Sequence, residues 1–243
     1  MLTGIVLTKN EAENIEACLA SLAFCDQIVV IDDNSVDGTV KIAKKMGAEV
    51  LVHALDNNFA SQHNWSLEQI KSPWVLFIDA DERISPELAA EIKVAIEKIE
   101  FKGFFLPRVD YLWGKELKYG DLYGAKFLRL ARRGAGIWRG KVHESWVIEG
   151  RTGKLKNPLL HYPHQNFVEF LQHINTYSTI KADEFFNQNK KTSVLEIIGG
   201  PIWRFFKAYI LQLGFLDGTA GFVHAMTLAM YQFLVAGKLH LHE

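Results

Sequence analysis

The first hundred residues repeat one pattern four times, an apolar run, a polar turn and a helical stretch, and this repetition constrains the fold more than any single residue. Residues 2–8 (Leu-Thr-Gly-Ile-Val-Leu-Thr) read as a buried strand that ends in Thr8-Lys9-Asn10-Glu11. Asn10 followed by Glu13 has the spacing of a capping box, and the helix it predicts presents Ile15, Cys18, Leu19 and Leu22 on one face. A second run over 27–31 leads into Asp32-Asp33-Asn34-Ser35-Val36-Asp37-Gly38 and a helix through about Met46. A third strand at 49–53, a loop at 54–60, a helix near 61–70 and a strand at 74–78 follow. Asp79-Ala80-Asp81-Glu82 then precedes a helix launched by Ser85-Pro86-Glu87. Successive βα units of this kind predict an α/β fold with a doubly wound, mostly parallel sheet covered on both faces.

Such sheets bind ligands beyond the carboxyl ends of their strands, where all three polar clusters fall. The first strand is not followed by G-x-G-x-x-G, and the chain contains no G-x-x-x-x-G-K-[ST], which argues against a dinucleotide site and a P-loop. Charge is divided along the chain. Residues 1–100 carry 8 basic and 17 acidic side chains, residues 101–156 carry 13 and 5, and the remainder balances at 6 and 6. An acidic half needs a cation to hold an anion, whereas a basic stretch can meet phosphate or anionic lipid directly. The basic residues are scattered, with neither RNA-binding aromatics nor zinc spacing, so nucleic acid is not an expected partner. Cys18 and Cys25 lie in apolar surroundings without C-x-x-C spacing and read as core thiols of a reducing compartment.

After residue 101 the pattern shortens to β-like pieces at 103–107, 109–113, 126–131 and 155–162, the mark of a smaller mixed β region. Helical spacing returns at 166–187 through Phe167, Phe170, Leu171 and Ile174, and two further helical stretches over 194–237 break at Leu216-Asp217-Gly218. The expected organisation is one domain over 1–165, with halves 1–100 and 101–165, and a helical extension over 166–243. Nineteen residues, Thr219–Gly237, contain no Asp, Glu, Lys or Arg, while 201–215 mixes Trp203, Phe205, Phe206 and Tyr209 with Arg204 and Lys207. This composition is that of an interfacial helix, with packing, a dimer contact or a true span as the alternatives. The opening residues lack a secretory signal's basic and long apolar regions, so a cytoplasmic protein is expected.

Asp79 and Asp81, at i and i+2 beyond a buried strand, can flank one hard divalent cation and leave positions open for phosphate oxygens. The same residues could equally serve as a helix N-terminal acidic cluster. The acidic turn at Asp32-Asp33, two strands away in the predicted sheet, favours the ligand reading.

Taken together, Thr8-Lys9-Asn10-Glu11, Ile31–Thr39 and Phe77-Ile78-Asp79-Ala80-Asp81-Glu82 resemble, in order and spacing, the family 2 glycosyltransferases of the GT-A fold. Further segments resemble the short bacterial subgroup that includes the lipopolysaccharide core β-1,4-glucosyltransferase: Phe59–Trp65, Val142-His143-Glu144, His161-Tyr162 and Gly214–Gly218. The resemblance implies an inverting transfer of glucose or another hexose from a nucleotide-sugar, a UDP-sugar by expectation, to a lipopolysaccharide-core or other lipid-linked glycan, at the cytosolic face of the inner membrane. It implies Thr8 and Asp33 at the base and ribose with Glu11 nearby, Asp79 at the ribose or metal, and Asp81 on Mg²⁺ or Mn²⁺. Gln62 and Asn64 match a loop closing over the nucleotide, and His63 stands where the family more often has Arg. Glu144 matches the catalytic base, the alternative being a surface glutamate paired with Lys141 or Arg139; His143 would orient it, contact phosphate or be structural, and His161 would complete the metal or diphosphate site or be a buried, hydrogen-bonded residue. Trp113, Trp138 and Trp146 are either a sugar platform or core. A nucleotidyltransferase would carry a glycine-rich, basic loop after the first strand, which 7–12 lacks, and a glycosidase would need two carboxylates flanking a bond and no nucleotide. A non-catalytic nucleotide-sugar-binding protein is the alternative of a different class.

Overall fold

In a computed structural model, the structure describes all residues except 57, 121–123, 141–143, 164–166 and 243, and the side chains of Phe167 and Glu169. The chain divides into two compact units, one of Met1–Arg108 with Gly124–His161, the other of Val109–Tyr123 with Tyr162–Glu243.

The first unit opens with β1 (Leu2–Thr8), α1 (Ile15–Ser21), β2 (Gln27–Asp32), α2 (Thr39–Lys45), β3 (Glu49–Val52), α3 (Phe59–Gln69) and β4 (Trp74–Asp79). A short β5 (Glu82–Ile84) and α4 (Pro86–Ile96) come next, then β6 (Gly103–Leu112), which runs into the second unit from Val109 on, β7 (Lys115–Glu116) of that second unit, and, back in the first, β8 (Lys126–Arg132), β9 (Gly136–Arg139), β10 (Ser145–Ile148), β11 (Thr152–Lys154) and β12 (Leu159–His161). The sheet order is β3-β2-β1-β4-β8-β6-β12-β5. β1 to β4 are mutually parallel, and β8 joins β4 antiparallel.

Alternation along the strands builds two cores. Leu2 and Val6 of β1, Val30 of β2 and Leu76 and Ile78 of β4 meet Ile15, Cys18 and Leu19 of α1, Ala43 of α2 and Leu88 and Ile92 of α4. The intervening residues Ile5, Leu7, Val29, Ile31, Val75 and Phe77 face Ala60 of α3 and the two tryptophans of the β9–β10 ribbon. Both sheet faces are therefore covered, which is why β1 is buried along its whole length. Trp138 and Trp146 stack with centroids 5.3 Å apart and meet Phe77 edge-on, so they are core and not a sugar platform. Cys18 is buried and free, and burial pushes its thiol up.

Three local expectations are corrected. The Asn10–Glu13 capping box does not form: Asn10 takes φ 55° and its Oδ1 accepts from the Val36 amide, so α1 begins only at Ile15. The pieces expected at 103–107 and 109–113 are one strand, β6. Glu82, read as part of a polar turn, begins a strand and is wholly buried.

The second unit contains α5 (Phe167–Asn187), α6 (Val194–Phe206), a π-helical turn at Lys207–Leu211, a 3₁₀ turn at Gly214–Asp217 and α7 (Gly218–His242). A true capping box, Ser193 with Glu196, starts α6. The helical break expected at Leu216-Asp217-Gly218 is present, and Gly214 is required there because a Cβ would come within 2.7 Å of the Ala208 carbonyl oxygen. Asp217 is buried, and its carboxylate accepts from the amides of Lys118 (3.0 Å) and Tyr119 (2.9 Å). These bonds tie Lys118 and Tyr119 to the 3₁₀ turn within the same unit. Lys238 of α7 donates to the Asn175 carbonyl and to Ser178 and Thr179 of α5.

Candidate active site

The parallel register brings the ends of three strands side by side. Thr8 of β1 is level with Asp32 of β2, and Leu7 with Asp79 of β4. The Asp33 amide continues the ladder by donating to the Thr8 carbonyl at 2.9 Å. Asp33 is buried, with Oδ1 accepting from the Leu55 amide and Oδ2 2.8 Å from Lys9 Nζ. Thr8 Oγ1 and Asp32 Oδ1 are buried without a hydrogen-bond partner. Buried polar atoms left in this state are costly, and a polar ligand or water would satisfy them. Glu11 sits beside this edge, its carboxylate accepting from Asn14.

The Asp79–Glu82 turn is held from within. Glu82 Oε2 accepts from the Asp79 amide, and Arg83 donates to the carbonyls of Ala80, Glu82 and Asn14. β12 pairs antiparallel with β5, setting His161 opposite Glu82. His161 Nε2 thereby comes 3.2 Å from Asp81 Oδ2, joining two residues eighty positions apart. Asp79 turns elsewhere, its Oδ2 lying 2.6 Å from Arg129 Nη2. Asp79, Asp81 and His161 do not form a three-ligand group, and no such group of His, Cys, Asp and Glu occurs among the described residues.

Arg129 is the main site residue that sequence reasoning missed. It is buried beside Asp79, with Glu82 Oε1 3.7 Å away. Burial works against its charge, but Asp79, Glu82 and Glu144 outweigh that and raise its pKa, so it is cationic. Burial pushes the Glu82 carboxyl up, opposed by Arg129. The available signal was a lone arginine inside the apolar run Phe127-Leu128-Arg129-Leu130-Ala131.

Glu144 precedes β10 and is half-buried. Its pKa is raised, by burial first and by Asp79, while Arg129 and its own backbone amide pull it down. The electrostatic neighbours that the sequence could not reveal thus connect Glu144 to the end of β4. His143 lies outside the described residues. Gln62 and Asn64 are engaged internally: Gln62 donates to the His53 carbonyl, and Asn64 exchanges two 2.9 Å hydrogen bonds with the Trp138 backbone. His63 is buried, stacked on Trp138 at 4.0 Å, and pushed down to about 4 by burial, so it is neutral and structural.

A parallel sheet with an antiparallel continuation and acidic turns at its carboxyl edge is the arrangement of the GT-A class of glycosyltransferase folds. Staphylococcus aureus TarS 1–349, solved in complex with UDP-GlcNAc, superposes with a TM-score of 0.53 at 16% identity, over 96% of this chain and 90% of that one. The family model described as glycosyl transferase family 2 matches residues 3–144, and the chain belongs to that family. It is 32% identical to the lipopolysaccharide core biosynthesis glycosyltransferase LpsC of Rhizobium meliloti (strain 1021), over 98% of this chain and 92% of the relative. An uncharacterized glycosyltransferase of Rickettsia bellii (strain RML369-C) is 30% identical over 98% of this chain and 85% of its own length.

Proposed function

We propose that the protein is an inverting hexosyltransferase that moves a sugar from a UDP-sugar to a lipopolysaccharide-core or other lipid-linked glycan. The observation that carries this reading is the gathering of Thr8, Asp33, Asp79, Asp81 and His161 at one sheet edge, from strands far apart in sequence. The name of LpsC supports the acceptor class, and the UDP-GlcNAc bound by TarS supports the nucleotide.

Thr8 and Asp33 would receive base and ribose, with the unpartnered Thr8 hydroxyl as a free donor and acceptor. Asp79, steadied by Arg129, would face the ribose. The Asp81 carboxylate fits Mn²⁺ or Mg²⁺, since such ions are commonly held by one or two carboxylates with phosphate oxygens and water completing the shell, and His161, 3.2 Å from it, would orient it or add a ligand. When bound, the ion supplies positive charge for the nucleoside diphosphate that departs as the sugar–phosphate bond breaks. Glu144 would accept the acceptor hydroxyl proton as that oxygen attacks the anomeric carbon from the opposite face.

The helical unit suits a membrane-bound acceptor. Leu195, Ile198, Ile202 and Trp203 of α6 are exposed, as are Phe222, Met226, Met230 and Phe233 along one stripe of α7. Lys190, Lys191 and Lys207 are exposed near them. Gly214–His242 is long and apolar enough to cross a membrane, but α6 with its flanking cations favours attachment to an anionic cytosolic surface. Glu144→Gln tests the catalytic assignment: donor binding should persist while transfer falls by about 10²–10⁴-fold. Undiminished transfer would remove Glu144 from the role of base.

A further inference from the structure

The strand β8 carries an irregularity at the residue that meets Asp79. Opposite β6, Leu130 pairs with Phe104 and Leu128 with the adjacent Phe105, so Arg129 is the extra residue of a bulge. The two cores record the same event. In a regular strand Leu128 and Leu130 would share a face, yet Leu128 packs with Phe77 and Leu130 with Leu76, on opposite sides of the sheet. The inserted residue is thus the one position on β8 released from the alternation, and bulges re-aim side chains in this way. Arg129 Nη2 reaches Asp79 at 2.6 Å and approaches Glu82 at 3.7 Å, while Nη1 is buried with no hydrogen-bond partner.

We propose that Arg129 is a positioning residue of the donor site: the bulge aims its guanidinium at the end of β4, where it fixes the Asp79 carboxylate to receive the nucleotide. The inference rests on the nucleotide-sugar reading above. Packing alone does not account for a buried cation at a bulge, because an apolar side chain would fill the space without desolvating a charge. The planar fork also restricts Asp79 in orientation as well as position, which an ammonium group would not.

A double-mutant cycle on the full chain tests the role. Binding of UDP, GDP, ADP and dTDP in the presence of Mn²⁺ is measured by calorimetry, and the nucleotide bound best by the wild type is carried forward. Asp79→Asn and Arg129→Met should each weaken it by about tenfold, and the double variant should be no weaker than Asp79→Asn alone. Losses that multiply, or an Arg129→Met protein that melts lower yet binds normally, would reduce Arg129 to packing and overturn the proposal. Should Arg129→Met fail to fold, Arg129→Lys replaces it in the cycle, with weaker binding expected at a melting temperature near the wild type's; unchanged affinity would overturn the proposal equally. A wild type that binds none of the four nucleotides would overturn the nucleotide-sugar reading, and this role with it.

Discussion

Removing the Asp217 carboxylate tests how the helical unit is held together. Its oxygens accept from two backbone amides, those of Lys118 and Tyr119, at 3.0 and 2.9 Å. Hydrogen bonds to a charged acceptor contribute roughly 1.5–3 kcal/mol each, so two lost donors set an upper range of about 3–6 kcal/mol. Lys118 and Tyr119 are themselves exposed, and water can reach their freed amides, which brings the expected cost of Asp217→Ala to about 2–3 kcal/mol. For a chain of this size that is a fall of about 4–12 °C in melting temperature. Both bonds end on Oδ2, so Asp217→Asn can keep them with a neutral acceptor in place of a charged one and should lose about half as much. The Lys115 ammonium donates to the Asp217 backbone carbonyl, so that contact survives both substitutions. Calorimetry gives the melting shift, and amide hydrogen exchange gives its location: protection of Lys118 and Tyr119 should drop while that of Val29, in the sheet core, holds. An Asp217→Ala protein melting within about 1 °C of wild type, with both amides still protected, would refute this account.

The pH profile of transfer follows from Glu144. A base acts deprotonated, and burial together with Asp79 raises the pKa of Glu144, so kcat/KM should climb with pH through a value above the ordinary glutamate range and level off beyond it. A limb in the ordinary range would place Glu144 in water. For membrane attachment, flotation with vesicles containing anionic lipid should capture the wild type and lose most of a variant carrying Ile202→Glu and Trp203→Glu, two exposed positions on α6. Equal flotation of both proteins, or of neither, would contradict the assignment of that face.

Much of the sheet was legible because its signals are local. The apolar runs ending at Thr8, Asp32 and Asp79 are short, bounded by polar turns, and buried on both faces, so burial and sequence pattern agree. Glu82 was misread for the opposite reason. Its burial depends on Arg129 and Arg108, which approach from strands more than twenty residues later, and nothing within the Asp79–Glu82 turn announces them. Arg129 was hidden by the bulge: strict alternation predicts a surface charge at that position, and only the register against β6 shows the interruption. Asn10 illustrates a local rule losing to a tertiary contact, since its side chain bonds the Val36 amide of the next turn instead of capping its own helix. The hydrogen bonds by which Gln62 and Asn64 brace α3 against the His53 and Trp138 backbones were likewise invisible in sequence, because both partners lie outside the helix.

Whether this sheet edge holds a nucleotide-sugar through a metal ion can be read from donor turnover without an acceptor. A panel of UDP-, GDP-, ADP- and dTDP-hexoses is incubated with the wild type and Asp81→Ala, with Mn²⁺ and with chelator, and release of the nucleoside diphosphate is followed. The expected result is slow hydrolysis of a UDP-hexose by the wild type with Mn²⁺, abolished by the chelator and by Asp81→Ala. Hydrolysis that is indifferent to both, or absent for every donor in the panel, would contradict it.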